Sequence, residues 1–226
     1  MDRFLHVFQR SHIGNIMSDI PRTTEAITLA RPWSTELRTE LVRKSIHLLI
    51  GLVPTLAGWN FNVTIALLSS GVLVYSYSEL MRLHGYEIAI ISRITAVAAR
   101  RRDAGRFVYG PVTLGLGAML ALMLYPEPAA SIAIYALAFG DGFSSLVGKA
   151  FGTIKIPFTG GKSVEGSLTC FIAVFSSTHA VTGDAPRSAT IAIIATVTEA
   201  IPSKDLDNIL LPAVVGIFAV AVFGLA

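Results

Sequence analysis

The chain has 226 residues, of which 53% are hydrophobic and only 15% are charged, and its mean hydropathy is +0.63. Soluble domains average about 25% charged residues, so this composition excludes a disordered chain, a collagen and a coiled coil and argues against a soluble enzyme. The length is that of one domain. A single cysteine, Cys170, excludes a disulfide scaffold and a cysteine-based zinc site.

The first 44 residues are polar and hold no apolar run of the kind that a signal peptide requires. Ser34 is a favourable helix start, and Leu37 and Leu41 follow at helical spacing, which predicts a polar helix at the membrane surface. We therefore expect residues 1–44 to form a cytoplasmic or interfacial segment and residues 45–226 to form the membrane domain.

Apolar segments dominate the rest of the chain, and a helix needs about 20 apolar residues to cross a bilayer. The predicted fold class is all-α, a polytopic membrane bundle of about seven transmembrane helices. Gly51 and Pro54 interrupt the first span, whereas Gly115 and Gly117 in the third allow close helix contact. The predicted spans are 45–59, 61–83, 111–125, 129–151, 166–182, 188–201 and 208–226.

The basic residues are sorted between the two sides of this bundle. If seven spans alternate, Arg187 alone among the 18 Lys and Arg residues lies on the side opposite the N-terminus. Cytoplasmic loops carry the excess of Lys and Arg in membrane proteins. The pattern predicts a cytoplasmic N-terminus and an outside C-terminus. The acidic residues follow the same pattern, with Glu127 and Asp184 as the exceptions.

Polar residues gather at the predicted cytoplasmic ends of the spans. Ionisable groups at membrane depth are costly and indicate function, so their convergence predicts one site that opens to the cytosol and is bordered by lipid. The groups are Arg43, Lys44 and His47; Glu79 and Arg82; Gly140, Asp141 and Gly142; Lys162, Ser163, Glu165, Gly166 and Ser167; and Glu199, Asp205, Asp207 and Asn208.

These residue types match the chemistry of phosphoryl or nucleotidyl transfer. Carboxylates hold Mg²⁺, and cations beside glycine-rich turns hold phosphate. Lys162 next to a helix start at Ser163 is a good phosphate site, because the free backbone N–H groups and the helix dipole both attract an anion. A P-loop is excluded, because Ile156 occupies the position of its first glycine.

Each feature also has a purely structural interpretation. Asp141 could mark a helix break, Ser163 could be only an N-cap, and His47 could be a hydrogen-bond partner in the bundle. Glu79 and Arg82 could simply pair with each other, and Asp207 could belong to a solvated turn. A transporter is disfavoured, because the polar residues gather on one side only and no internal repeat is present.

The order of these motifs resembles an integral membrane kinase family that contains dolichol kinases, phytol kinases and CTP-dependent diacylglycerol kinases. The resemblance covers roughly residues 40–215. It rests on Arg43-Lys44-x-x-His47, on the block 139–152 with Gly140-Asp141-Gly142 and Gly148, on Lys162-Ser163-x-Glu165-Gly166-Ser167, on Glu199-Ala200-Ile201-Pro202, and on Asp207-Asn208-x-x-x-Pro212.

The resemblance implies a Mg²⁺-dependent transfer of the γ-phosphoryl group of CTP to the hydroxyl of a long-chain isoprenoid alcohol of the polyprenol, dolichol or phytol type. Alternatives are a CTP-dependent cytidylyltransferase acting on a lipid phosphate and, less favoured, a diacylglycerol kinase or a transporter. The implied catalytic residues are Asp141, Lys162 and Glu165, and the implied metal ligands are Asp141, Asp205, Asp207 and Glu199. The implied nucleotide-binding residues are Arg43, Lys44, His47, Glu79, Arg82, Gly140, Gly142, Gly148, Ser163, Gly166, Ser167 and Asn208.

The sequence departs from the family where many members have two adjacent aspartates. Here Leu206 separates Asp205 from Asp207, so the identity of the metal-binding aspartate stays open. A general base is either unnecessary or supplied by Asp141, Glu165 or His47. We expect the lipid alcohol, CTP and membrane lipids as partners, no nucleic acid, and a site facing the cytoplasm at the inner or plasma membrane if the chain is prokaryotic. The glycine-rich spans would permit a homodimer.

Overall fold

A computed structural model describes residues 33–86, 95, 105–203 and 206–225, with the side chains of residues 33–36 excepted. Contacts divide the chain into the units Met1–Glu36 and Leu37–Ala226. Among the described residues, 33–36 belong to the first unit and all others belong to the second.

Helices form nearly all of the described part of the chain, which confirms the all-α class. Short helices follow one another within two of the predicted spans. The α-helices are α1 (Trp33–Leu49), α2 (Val53–Trp59), α3 (Phe61–Leu83), α4 (Gly110–Leu124), α5 (Ala129–Tyr135), α6 (Gly142–Ala150), α7 (Val164–Thr182), α8 (Ala185–Ala200) and α9 (Asp207–Phe223). One 3₁₀ turn, Ile50–Leu52, joins α1 to α2, and a π-helical turn, Ala136–Asp141, joins α5 to α6.

Four helical segments within the described residues are long and apolar enough to cross a bilayer, which indicates a membrane protein. They are Leu37–Trp59, Phe61–Leu83, Ala129–Ala150 and Val164–Thr182. The helices α4 and α9 are apolar but shorter. A helix occupies each of the seven predicted spans; the number that cross and the sides of the termini stay predictions.

The first span differs from its predicted bounds, because the helix begins at Trp33 rather than near Ser45. Lys44 and His47 are buried on this helix, so residues 37–44 belong to the bundle rather than to a separate surface segment. Pro54 does not break the helix. It lies in the first turn of α2, where its missing N–H group costs no hydrogen bond.

Small residues let the helices at the centre of the bundle approach closely. The core between α5, α7, α8 and α9 is built from alanines and β-branched residues, such as Ala129, Val174 and Ala195. A side chain at Gly117 would collide with the backbone carbonyl of Asn208, and one at Gly115 would collide with Val72. This confirms the predicted close contact of the third span.

Candidate functional site

A cleft of about 450 Å³ lies at one end of the bundle, where α1, α6 and the start of α7 meet the loops that follow α6 and α8. Its basic lining residues are Arg43, Lys149, Lys155 and Lys162. Its acidic lining residues are Glu40, Asp141, Glu199 and Asp207. Four of the five predicted polar groups therefore contribute to one cleft, and the group of Glu79 and Arg82 does not.

Asp141 is buried in the floor of the cleft, at the end of the π-helical turn. The Lys44 Nζ atom donates a hydrogen bond of 2.5 Å to Asp141 Oδ2. His47 Nε2 lies 3.0 Å from the same oxygen and 2.8 Å from the Leu137 carbonyl oxygen. Both neighbours are acceptors, so Nε2 carries the ring proton. Lys44 and His47 thus contact the Asp141 carboxylate from the interior of the bundle, and they do not line the cleft.

The π-helical turn replaces the helix break that the glycines around Asp141 could have marked. A side chain at Gly140 would lie 2.8 Å from Val174, and one at Gly142 would lie 2.9 Å from Leu48. These glycines do not line the cleft and permit close helix packing, and their predicted contact with nucleotide stays a prediction. A single wide turn of this kind is common at functional sites.

Glu40 is a member of the site that the sequence analysis missed. Its side chain is only 1% exposed and forms ion pairs with Arg43 and Lys149, which joins α1 to α6. The signal was present, because Glu40 lies one helical turn before Arg43 and Lys44. Lys149 directly follows the predicted Gly148.

Lys162 and Glu199 form an ion pair across the cleft, which joins the loop before α7 to the end of α8. Ser144 lies within hydrogen-bond distance of the same carboxylate, with its Oγ 3.1 Å from Glu199 Oε1. The loop that carries Lys162 is fastened by two backbone hydrogen bonds, from Ile156 N to the Lys162 carbonyl and from Val164 N to the Ile154 carbonyl, each 2.9 Å.

The first turn of α7 forms one wall of the cleft. The Ser163 Oγ atom accepts a hydrogen bond of 3.2 Å from Gly166 N, which confirms Ser163 as the N-cap. A side chain at Gly166 would lie 2.8 Å from the Ser144 carbonyl oxygen, so glycine permits α6 and α7 to touch there. Gly148 lies at the same contact. The wall therefore presents the positive end of a helix to any anion in the cleft.

Glu165 does not line the cleft. Its Oε1 atom accepts hydrogen bonds from Thr153 N at 2.9 Å, from Ile154 N at 3.2 Å and from the Thr153 hydroxyl. These bonds anchor the loop after α6 to the start of α7. These bonds give Glu165 Oε1 a structural role, Glu165 Oε2 has no partner among the described residues, and the catalytic role of Glu165 stays a prediction.

Three further residues predicted to bind nucleotide lie outside the cleft. Glu79 and Arg82 form a bidentate pair of 2.7 and 2.8 Å, and Glu79 also accepts a hydrogen bond of 2.9 Å from Val108 N. Asn208 donates to the Gly110 carbonyl at 3.2 Å and to Thr113 Oγ1 at 2.9 Å, which joins α9 to α4. All three hold elements of the bundle together.

The predicted metal ligands come together in part. Asp141, Glu199 and Asp207 all line the cleft, and they also border a narrow gap that is too small for a water molecule. Within the described part of the chain, however, no three His, Cys, Asp or Glu side chains form a ready-made metal site. Asp205 lies outside the described residues.

Unsatisfied polar atoms indicate that the cleft is built for a ligand. Buried polar atoms are nearly always hydrogen-bonded in proteins. Three buried side-chain atoms that line this cleft have no partner among the described residues: Arg43 Nε, Ser167 Oγ and Ser203 Oγ. The loop residue Ser203 is another that the sequence analysis missed.

Comparison with known proteins gives one consistent group. No family model matches the chain, and no solved structure matches it. Phytol kinase 1 of Arabidopsis thaliana is 26% identical over 207 residues, which cover 83% of this chain and 68% of that protein. A Triticum aestivum protein named "Probable phytol kinase, chloroplastic" is 27% identical over 210 residues, with coverage of 83% and 69%.

A second name appears in the same group. Farnesol kinase of Arabidopsis thaliana is 30% identical over 146 residues, which cover 60% of this chain and 45% of that protein. The resemblance of the motif order to the polyprenol and phytol kinase family is thereby confirmed: this chain is similar to proteins named phytol kinase and farnesol kinase.

Proposed function

We propose that this protein is a membrane kinase that transfers the γ-phosphoryl group of CTP to the hydroxyl of an isoprenoid alcohol in a Mg²⁺-dependent reaction. The observation that carries the proposal is the cleft itself, in which three unsatisfied buried polar atoms and four cations face one space at the end of a membrane bundle. The names of the relatives support an isoprenoid alcohol as the acceptor.

The phosphate groups of the donor would lie between Lys162 and the first turn of α7. Lys162 reaches the cleft from its loop, and Gly166 and Ser167 line the cleft beside it. Orphan N–H groups and the helix dipole attract the anion from one side, and the lysine ammonium attracts it from the other. Arg43 can turn its free Nε toward the same phosphates.

The charge balance of the cleft fits a magnesium ion. The four basic and four acidic side chains that line it cancel, so the cleft alone offers no net positive charge to a triphosphate. Mg²⁺ is commonly held by one or two carboxylates together with substrate phosphates. Asp141 and Asp207 would hold the ion, which would neutralise charge on the transferred phosphoryl group. Within the described residues Asp207 forms no ion pair, whereas Asp141 pairs with Lys44, so the Asp207 carboxylate is the freer of the two to bind an ion.

In the reaction, the alcohol oxygen forms a bond to the γ-phosphorus, and the bond from that phosphorus to the bridging oxygen breaks. The nucleoside diphosphate leaves with the electron pair. Lys162 offsets the charge that spreads over the phosphoryl oxygens in this loose transition state. The hydroxyl proton passes late to a cleft carboxylate or to water. Glu165 is not proposed as the base, because it does not line the cleft and its Oε1 is held by Thr153 and Ile154.

We place the site at the cytoplasmic face, because the loops that build it belong to the side that carries nearly all Lys and Arg residues. A nucleotide reaches the cleft from that face, while the alcohol stays with its apolar chain in the bilayer.

A labelling experiment tests the proposal. Purified protein is incubated with farnesol or phytol, MgCl₂ and CTP that carries the label at either the α- or the γ-phosphate, and ATP, GTP and UTP are compared. We expect γ-label on the lipid with CTP, and none after Lys162→Ala or after removal of Mg²⁺ by a chelator. A matched control, Ala66→Ser on the exposed side of α3, should keep wild-type turnover.

The two enzyme alternatives give different results when a lipid phosphate or a diacylglycerol replaces the alcohol in the same experiment, because γ-label on the diacylglycerol would identify a diacylglycerol kinase. Transfer of the α-label to a lipid phosphate would identify a cytidylyltransferase. Absence of any labelled lipid with every nucleotide and both alcohols would refute the kinase proposal.

A further inference from the structure

The cleft has a second cationic region, which we call the Glu40 cluster and which consists of Glu40, Arg43 and Lys149. The Glu40 carboxylate lies between the two cations, because Arg43 donates to its Oε1 atom and Lys149 donates to its Oε2 atom. Glu40 is buried, whereas the side chains of Arg43 and Lys149 are 24% and 48% exposed. One buried carboxylate therefore fixes two cations from different helices side by side at the surface of the cleft.

The Glu40 cluster carries a surplus of positive charge. The other two ion pairs of the site, Lys44 with Asp141 and Lys162 with Glu199, each join one lysine to one carboxylate. In the Glu40 cluster, two positive charges share one negative charge. A partly buried charge without compensation is costly. An anion that enters the cleft is therefore stabilised at this cluster.

The two cations also have hydrogen-bond donors that Glu40 does not use. A guanidinium group has five N–H donors, and an ammonium group has three. The Arg43 Nε atom is buried and has no partner among the described residues. Phosphate oxygens suit this pair of donors, because a guanidinium binds them in a bidentate manner and an ammonium attracts them as a point charge.

The Glu40 cluster lies beside the first turn of α7. Lys149 directly follows Gly148, and a side chain at Gly148 would lie 3.2 Å from Ser163 Oγ and 3.6 Å from the Gly166 Cα atom. None of the three residues of the cluster borders the narrow gap beside the two aspartates that are proposed to hold Mg²⁺. The cluster is therefore near the phosphate wall of the cleft but separate from those aspartates.

From this arrangement we infer that Arg43 and Lys149, held in place by Glu40, bind the phosphates that stay on the nucleoside after transfer. This inference rests on the proposed kinase function. There Lys162 and the aspartates act on the transferred phosphoryl group, so the separate Glu40 cluster receives the diphosphate that leaves. Glu40 is a positioning residue, because its carboxylate contacts the two cations and would repel a phosphate.

The first test uses pyrophosphate, which represents the leaving diphosphate without a base and needs no alcohol. It is titrated by calorimetry, with MgCl₂ present, into the purified proteins in one detergent. Lys149→Met should raise the Kd of pyrophosphate about tenfold or more, because a charge-assisted hydrogen bond is lost. Lys149→Arg keeps a cation at this position and should stay within about threefold of the wild-type Kd.

A matched control removes one positive charge elsewhere. Arg187 pairs with Asp184 at the start of α8, whereas Glu199 lines the cleft from the other end of that helix. Arg187→Met should leave the Kd of pyrophosphate unchanged.

The second test addresses the positioning role of Glu40. Glu40→Asp keeps the charge but withdraws the carboxylate by one methylene group, so it no longer reaches both cations. Pyrophosphate should bind more weakly, although the net charge of the cleft is the same. In the γ-label assay, Glu40→Asp and Lys149→Met should raise the KM for CTP by more than they lower kcat, whereas Lys162→Met acts mainly on kcat.

The inference is overturned by an unchanged Kd of pyrophosphate in Lys149→Met or by a wild-type protein that does not bind pyrophosphate. Lys149 is half exposed, so its substitution does not depend on repacking of the bundle. A wild-type protein that binds pyrophosphate through Lys149 but labels no alcohol with any nucleotide would refute the kinase proposal and leave the anion site in place.

Discussion

Asp141→Asn removes a buried charge that two side chains of α1 compensate. Lys44 is only 1% exposed, and its ammonium donates to the Asp141 carboxylate at 2.5 Å. Loss of one partner from a buried ion pair typically costs about 3–5 kcal/mol, because the other charge stays in the interior without compensation. For a chain of this size about 1 kcal/mol shifts the midpoint of thermal unfolding by about 2–4 °C. We expect a drop of about 6–20 °C.

A double variant separates the stability effect from the catalytic effect. Lys44→Met together with Asp141→Asn removes both charges, and replacing a whole buried pair is often nearly neutral. We expect the double variant to regain most of the lost thermal stability. It should stay inactive, because the Asp141 carboxylate lines the cleft and the methionine does not replace it.

The measurement is thermal unfolding of the purified proteins in one detergent, followed by phosphoryl transfer from γ-labelled CTP below the lowest midpoint. An Asp141→Asn protein within about 2 °C of wild type, or a double variant as unstable as the single one, would contradict the buried pair. Wild-type activity in the double variant would show that Asp141 takes no part in the reaction.

Three further substitutions test the other parts of the site. Lys162→Met should lower kcat about 10²–10³-fold in the γ-label assay, because a donor to the transferred group is lost; a change only in the KM for the alcohol would speak against this role. Gly166→Ala should destabilise the protein by about 1–3 kcal/mol in thermal unfolding, since its Cβ would lie 2.8 Å from the Ser144 carbonyl; wild-type stability would contradict the close contact. Glu79→Gln should cost about 1–3 kcal/mol of stability, because the ion pair with Arg82 is lost. The KM for CTP should stay unchanged. A large rise in that KM would indicate that Glu79 takes part in nucleotide binding.

The sequence predicted the all-α fold class and part of the lining of the cleft. Apolar runs are long-range patterns that need no tertiary contact to be recognised, so a helix is found at each predicted span. Ser163 was recognised as a helix start because capping is a local interaction. The grouping of Arg43, Asp141 and Lys162 followed from the sidedness of the charges, and these residues do line one cleft.

The role of a residue could not be predicted from the sequence where it depends on which neighbours its side chain contacts in the folded protein. Glu165 and Asp207 are both acidic residues near a helix start, yet one anchors a neighbouring loop and the other lines the cleft. The sequence places them in the same region but carries no information on the loop that approaches Glu165. Glu40 was missed for the converse reason, since its partner Lys149 is far away in the chain.

The low charge content by itself predicted a membrane protein, because so many apolar residues need lipid as well as a core to cover them. The order of charges along the chain predicted that the site lies on one side of the bundle. Only the tertiary structure decided which charged side chains form ion pairs with each other and which face the cleft. Burial makes an unpaired charge costly, so most buried ionisable side chains form an ion pair or a hydrogen bond with a neighbouring residue. Among the buried polar atoms left without a partner in the described part of the chain, those of Arg43, Ser167 and Ser203 line the cleft and are available to a ligand there.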